Sequence, residues 1–199
     1  MINEINKNTL VYLNSLSEHV FFENMVYIFV DSPIFFLPVF LLWAWIYTTY
    51  KKQKKYEEAL KSNLLFIFYG TTIALLISLW IQQVILIERP ETVLVWTGKL
   101  LLKHIPDASF PSDHATVSVA FLTWLFLAHY KKIGYIFLPF VVLMNISRVI
   151  AWVHWPFDIV AWTLIWILWS FIAFKILSKS KLVKILNQFI IRTLSYIKL

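Results

Sequence analysis

The chain has no cysteine, so it can build neither a disulfide framework nor a thiolate metal site. Glycine is scarce, with 3 residues among 199, and no low-complexity tract or internal repeat interrupts the sequence. That leaves no linker and no second module to place, and a single domain over 1–199 is expected. Charge is sparse at 15% of residues. The first residues do not read as a secretory leader, because Glu4, Glu18 and Glu23 stand where a basic start, a short apolar run and a small-residue cleavage site would be needed.

Apolar side chains fill the chain instead. Hydrophobic residues make up 60% of it and the mean hydropathy is +0.71, against roughly 45–50% apolar residues in soluble domains. The net charge of +7 would turn a soluble domain toward nucleic acid. At this apolar content it turns the chain toward membrane lipids, and no nucleic-acid partner is expected.

A helix needs about 20 mostly apolar residues to cross a bilayer. Five segments read as spans, at about 27–50, 64–87, 115–130, 133–151 and 156–177. The first carries Asp31 and Pro33 near its start, and the third is short. Trp43, Trp45, Tyr47, Tyr50, Trp152 and Trp155 cluster near segment ends, as interfacial aromatics do. The expected fold is an all-α polytopic integral membrane bundle of about five transmembrane helices, with six as the other count. Amphipathic interfacial helices accompany it over 8–25 and 92–105, the second an interfacial or lid helix with Lys99 and Lys103 on one face. A basic amphipathic tail over 178–199 is expected to rest on anionic lipid.

The basic residues set the orientation. Thirteen of the 18 Lys and Arg side chains fall on one side of this topology, while nine of the 11 acidic side chains fall on the other. Placing the basic side in the cytoplasm puts Arg89-Pro90, the block 112–114 and the block 147–158 together at the extracytoplasmic face. Three polar blocks from separate parts of the chain are thus expected to meet at one membrane surface.

Those blocks carry the chemistry. Arg costs about 2.5–3.5 kcal/mol at the centre of a membrane helix, so embedded charges usually face a protein interior and serve a function. Two planar guanidiniums, Arg89 and Arg148, suit the oxygens of a phosphoryl group better than ammonium groups would. Pro111-Ser112-Asp113-His114 opens the third apolar segment. Ser112 or Asp113 there is a good helix cap, and a helix start also offers N–H groups to an anion beside the His114 imidazole. His154 precedes Pro156, with Asp158 in the first turn of the last span. An Asp at that place can accept an imidazole N–H and fix the tautomer, freeing the other nitrogen of His154 to attack. His114, His154 and Asp158 could also supply three metal ligands, but two neighbouring arginines would repel a cation.

Here the chain resembles the type-2 phosphatidic acid phosphatase superfamily. That family carries Lys, six residues and Arg-Pro; then Pro-Ser-Gly-His; then Ser-Arg, five residues, His, three residues and Asp. The third block is complete as Ser147, Arg148, His154 and Asp158. The second has Asp113 in place of Gly. The first keeps Arg89-Pro90 and holds Gln82 at the Lys position. The resemblance spans roughly 82–158, and Ser109-Phe110-Pro111-Ser112-Asp113-His114 is especially similar to the bacitracin-resistance type of undecaprenyl-diphosphate phosphatase. It implies that His154 attacks phosphorus, Asp158 orients it and His114 protonates the leaving oxygen. Arg89, Arg148, Ser112 and Ser147 would hold the phosphoryl oxygens, with Gln82 and Asp113 also beside the phosphate. Asp113 is expected to favour the charged form of His114. No metal or cofactor is implied.

The implied reaction hydrolyses a polyprenyl diphosphate lipid, undecaprenyl diphosphate, to undecaprenyl phosphate at the outer face of a bacterial plasma membrane. Other readings stay open at this point: a phosphatidylglycerophosphate, phosphatidate or lipid A phosphatase, a phosphotransferase, a haloperoxidase use of the same constellation, or a lipid-binding or transport component without catalysis. The sequence carries no sign of oligomeric state.

Overall fold

The computed structural model describes residues 3–51, 54–95, 97–102 and 108–197. All regular structure in them is helical. The order is α1 (Glu4–Ser15), a 3-10 turn (Leu16–Glu18), α2 (Val20–Phe29), α3 (Ser32–Tyr50), α4 (Lys54–Val84), α5 (Pro90–Val93), α6 (Asp113–Leu127), α7 (Lys131–Ile150), α8 (Pro156–Leu177) and α9 (Lys181–Tyr196).

The short helix α6 is the axis of the bundle. Every residue from Ala115 to Leu125 is buried, which a helix apolar on all sides requires, and it packs against α4, α7 and α8. Gly70 of α4 leaves room for Trp124 of α6, because a Cβ there would lie 1.9 Å from Trp124 Cε2. Outer faces stay apolar: Phe35, Leu42, Trp80, Leu164 and Leu168 are all exposed. This multi-pass membrane protein therefore shows apolar surface where a soluble protein would show charge.

Among the described residues, three helices are long and apolar enough to span a membrane: 56–84 of α4, then α7 and α8. The first expected span is instead a broken one. α2 and the part of α3 from Ile34 to Tyr50 meet at a 46° bend and count as a fourth span only when taken together. The break falls at Val30 and Asp31, and Pro33 occupies the first turn of α3 and sets a helix start. α6, at 15 residues, is about 22 Å long at 1.5 Å per residue, short of the roughly 30 Å hydrocarbon core. The third expected segment is thus a buried apolar helix, shorter than the α4, α7 and α8 it packs against.

The ends sort as the charges require. Tyr130 Oη donates to the Leu60 carbonyl at 3.4 Å, and Asn187 Nδ2 donates to Ser62 Oγ at 2.7 Å. These contacts join the basic ends of α4, α6 and α7 with α9. The tail helix α9 packs on α4 through buried Asn187 and presents Leu182, Ile185 and Phe189 outward.

Among the described residues of 92–105 the expected helix is not present. Only Pro90–Val93 is helical, and 97–102 is an irregular strap; residues 96 and 103–107, with Lys103, lie outside the described residues. Asn14 of α1 determines this strap. Its Oδ1 accepts from Lys99 N at 2.9 Å, and its Nδ2 donates to the carbonyls of Lys99 and Ile150 at 2.8 and 2.7 Å. Backbone groups satisfied by a side chain need no helix. Lys99 Nζ pairs with Glu23 at 2.9 Å, so this lysine faces α2.

Candidate active site

α7 ends in a turn that aims its successor residues back at the bundle. Val153 N donates to the Arg148 carbonyl at 3.3 Å and Trp152 N to the Val149 carbonyl at 3.0 Å, the paired bonds of a Schellman cap. The left-handed residue is Trp152, at φ 70, not the usual glycine. An L residue there costs about 1–2 kcal/mol, and burial of the indole against Gly98 offsets it. A Cβ on Gly98 would stand 2.6 Å from the Trp152 ring. We expect Gly98→Ala to push Trp152 off its seat, costing roughly 1–3 kcal/mol. It should also lower activity, because the same turn carries His154. Thermal unfolding in detergent beside phosphate release checks this.

His154 is 1% exposed and sits between two guanidiniums. Its Nε2 lies 3.2 Å from Arg89 Nη1 and 3.3 Å from Arg148 Nη2, while its Nδ1 lies 2.8 Å from the Ser109 carbonyl. A carbonyl only accepts, so Nδ1 carries the proton and donates to it. Nε2 then presents its lone pair to both arginines. Burial, then Arg148 and Arg89, hold the His154 pKa well below its ordinary value, with the Ser109 carbonyl opposing them. The ring is therefore neutral at neutral pH. Arg89 and Arg148 are themselves buried, and Arg89 Nη1 also donates to the Val153 carbonyl at 2.6 Å.

Asp158 does not take the place expected for it. It forms no hydrogen bond with His154; its Oδ2 accepts from Ser109 Oγ at 2.7 Å. Ser109 stands between the two, fully buried, with its N–H donated to the Ile87 carbonyl at 2.7 Å. One residue thus ties the approach to Arg89, His154 and Asp158 together. In the sequence Ser109 stands out only as the first residue of the Ser109–His114 string.

The second block divides its work. Ser112 Oγ caps α6, accepting from Ala115 N at 3.5 Å. Asp113 turns toward α4, where its Oδ1 accepts from Ser78 Oγ at 2.9 Å and Gln82 Nε2 at 3.0 Å. Gln82 also donates to the Pro111 carbonyl at 2.8 Å. The two departures from the family pattern therefore bond to each other, and among the described residues neither has a hydrogen bond to His154 or the arginines. Asp113→Ala would remove the acceptor of the Ser78 hydroxyl and of one Gln82 N–H, the other N–H keeping the Pro111 carbonyl, and we expect a loss of about 1–3 kcal/mol. A double-mutant cycle with Gln82→Ala should give a coupling of about 0.5–3 kcal/mol. Ser147 is fully buried, and its hydroxyl has no hydrogen-bond partner among the described residues.

His114 joins the cluster through a residue that the sequence marked only as a flaw in a span. Asp31 Oδ1 lies 2.9 Å from His114 Nε2 and 2.7 Å from Arg148 Nη1. The assembled group is then Arg89, Arg148, His154, His114 and Asp31, with Ser109 and Asp158 behind His154.

A helical membrane bundle that gathers two buried guanidiniums and two imidazoles at one end is built to receive an anion. The chain belongs to the PAP2 superfamily, whose family model matches residues 63–182, and it is a lipid phosphatase of that superfamily. It is 28% identical over 175 residues, 86% of this chain and 80% of the relative, to the bacitracin transport permease protein BcrC of Bacillus licheniformis. It is 32% identical over 87 residues, 44% of this chain and 45% of the relative, to the undecaprenyl-diphosphatase BcrC of Bacillus subtilis (strain 168). The crystal structure of Aquifex aeolicus LpxE is similar, with a TM-score of 0.55 and 26% identity, covering 86% of this chain and 95% of that one.

Proposed function

We propose that this phosphatase hydrolyses undecaprenyl diphosphate to undecaprenyl phosphate and inorganic phosphate, through a phosphohistidine, at the extracytoplasmic face of a bacterial plasma membrane. The observation that carries the reading is the convergence of Arg89 and Arg148 on the lone-pair nitrogen of His154. The guanidiniums draw the phosphoryl oxygens in and leave phosphorus facing Nε2. His154 Nε2 forms a bond to the terminal phosphorus as the bridging P–O bond breaks, and His114 gives a proton to the departing lipid phosphate. Water then attacks the phosphohistidine, giving its proton back to His114 as the P–N bond breaks. Such transfer depends mainly on position and on charge stabilisation. Ser109 and Asp158 hold the His154 tautomer from behind.

The choice of lipid rests on the relatives' names and on one feature of the chain. An apolar groove of about 600 Å³, lined by Ser32, Phe36, Phe40, Ser118, Phe137 and Met144 among others, runs between α3 and α7. It starts next to Asp31 and passes one helical turn beyond His114, which suits a long hydrocarbon attached to a phosphate.

The test is phosphate release by detergent-purified protein with EDTA present, comparing undecaprenyl diphosphate, phosphatidylglycerophosphate and phosphatidate. We expect the diphosphate to be turned over at least about tenfold faster in kcat/KM, a difference of about 1.4 kcal/mol in transition-state binding. Preference for either glycerolipid would reject the substrate assignment. Loss of all activity in EDTA would reject the metal-independent chemistry.

A further inference from the structure

We propose that Asp31 is a positioning residue of this site, linking His114 to Arg148 and orienting the His114 imidazole as the acid. The inference rests on the phosphatase reading above. Asp31 lies outside the stretch that the family model matches.

The chain delivers Asp31 deliberately. It sits at the break between α2 and α3, formally the residue that caps α3, yet its side chain makes no capping bond there. Pro33 in the first turn lacks an N–H and so reduces the need for a cap. The carboxylate reaches across the bundle instead. Its Oδ1 meets Nε2 of His114 at 2.9 Å on α6 and Nη1 of Arg148 at 2.7 Å on α7. A carboxylate in an apolar segment is expensive, and here it is matched by partners from two other helices.

The chemistry asks for such a group. A cation within a few ångströms favours the neutral form of an imidazole, and a carboxylate favours the charged form. Burial holds the His114 pKa below its ordinary value; Asp31 opposes this, Arg148 on α7 adds to it, and Asp113 on the same helix opposes it. His154, in the turn after α7, faces His114 as well. Asp113 is already engaged by Ser78 and Gln82. Asp31 is therefore the carboxylate that bonds directly to His114. With Nε2 held by Asp31, Nδ1 has no hydrogen-bond partner among the described residues, and the His114 side chain is 21% exposed. Nδ1 is the nitrogen left to exchange a proton with substrate. Its proton passes to the bridging oxygen as that P–O bond breaks, and returns from water in the second half-reaction.

The experiment compares wild type, Asp31→Asn and Asp31→Glu, all checked for folding by thermal unfolding. The readouts are kcat, KM, the pH profile of kcat/KM, and inhibition by inorganic phosphate. We expect Asp31→Asn to lower kcat about 10- to 100-fold with KM within about twofold. The basic limb should move to lower pH by about one unit, since loss of the carboxylate lowers the His114 pKa. Asp31→Glu should recover part of both. A fall in kcat with an unmoved basic limb would overturn the proposal, because a purely structural role predicts it. Unchanged kcat with tighter inhibition by phosphate would also overturn it, showing that Asp31 merely fills an empty anion position. Failure of the wild type to release phosphate would reject the phosphatase reading itself.

Discussion

Replacing His154 with alanine should reduce phosphate release by about four to six orders of magnitude, the scale on which removal of an enzyme nucleophile acts. No other side chain can take over its position. Its Nε2 stands within 3.3 Å of both guanidiniums, and Asp158 and Ser109 lie on its Nδ1 side. The loss should appear in kcat, since Arg89 and Arg148 remain to bind phosphate. The pH profile should carry a second mark of the same residue. Burial and the two arginines keep the free-enzyme imidazole neutral well below its ordinary titration range. The acid limb of kcat/KM should accordingly lie below the pH at which a free histidine protonates. A limb at the ordinary value would show that His154 is not the group being titrated.

Replacing Arg148 with lysine should cost nearly as much as replacing it with alanine, roughly 10²- to 10³-fold in kcat/KM. The charge is kept, but the geometry is not. Arg148 uses Nη1 on Asp31 and Nη2 toward His154 at the same time, at 2.7 and 3.3 Å. An ammonium is a point charge on a flexible stem and cannot hold two partners in one plane. Kinetics of the two variants side by side decide this, and recovery of activity in Arg148→Lys would mean that the guanidinium plane does not matter.

The fold was largely legible because membrane helices advertise themselves. Segments 133–151 and 156–177 match α7 and α8 within a few residues, since length and apolar content suffice to define them. The break in the first span was harder to read. Asp31 and Pro33 were visible, but a charge in an apolar run does not reveal its distant partners. The strap at 97–102 was misread as a helix because Lys99 and Lys103 have helical spacing. Side-chain bonds from Asn14, far away in sequence, satisfy the backbone there.

The same limit applies to the cluster. The motif spacing named His154, His114, Arg89 and Arg148, and the fold brings these together. It could not show that Asp113 and Gln82 bond to each other instead of facing the cluster, because a residue at a motif position is read by its usual partner. Nor could it show Ser109 between Asp158 and His154, since that depends on a backbone carbonyl, which every residue has.

The stereochemical course at phosphorus is the most direct test of attack by His154. An undecaprenyl diphosphate with an isotopically chiral terminal thiophosphoryl group would be hydrolysed in labelled water, and the configuration of the released thiophosphate determined. In-line transfer to His154 and then to water inverts twice, so overall retention is expected. Inversion would mean that water attacks directly, and that the imidazole between the two arginines is not the nucleophile.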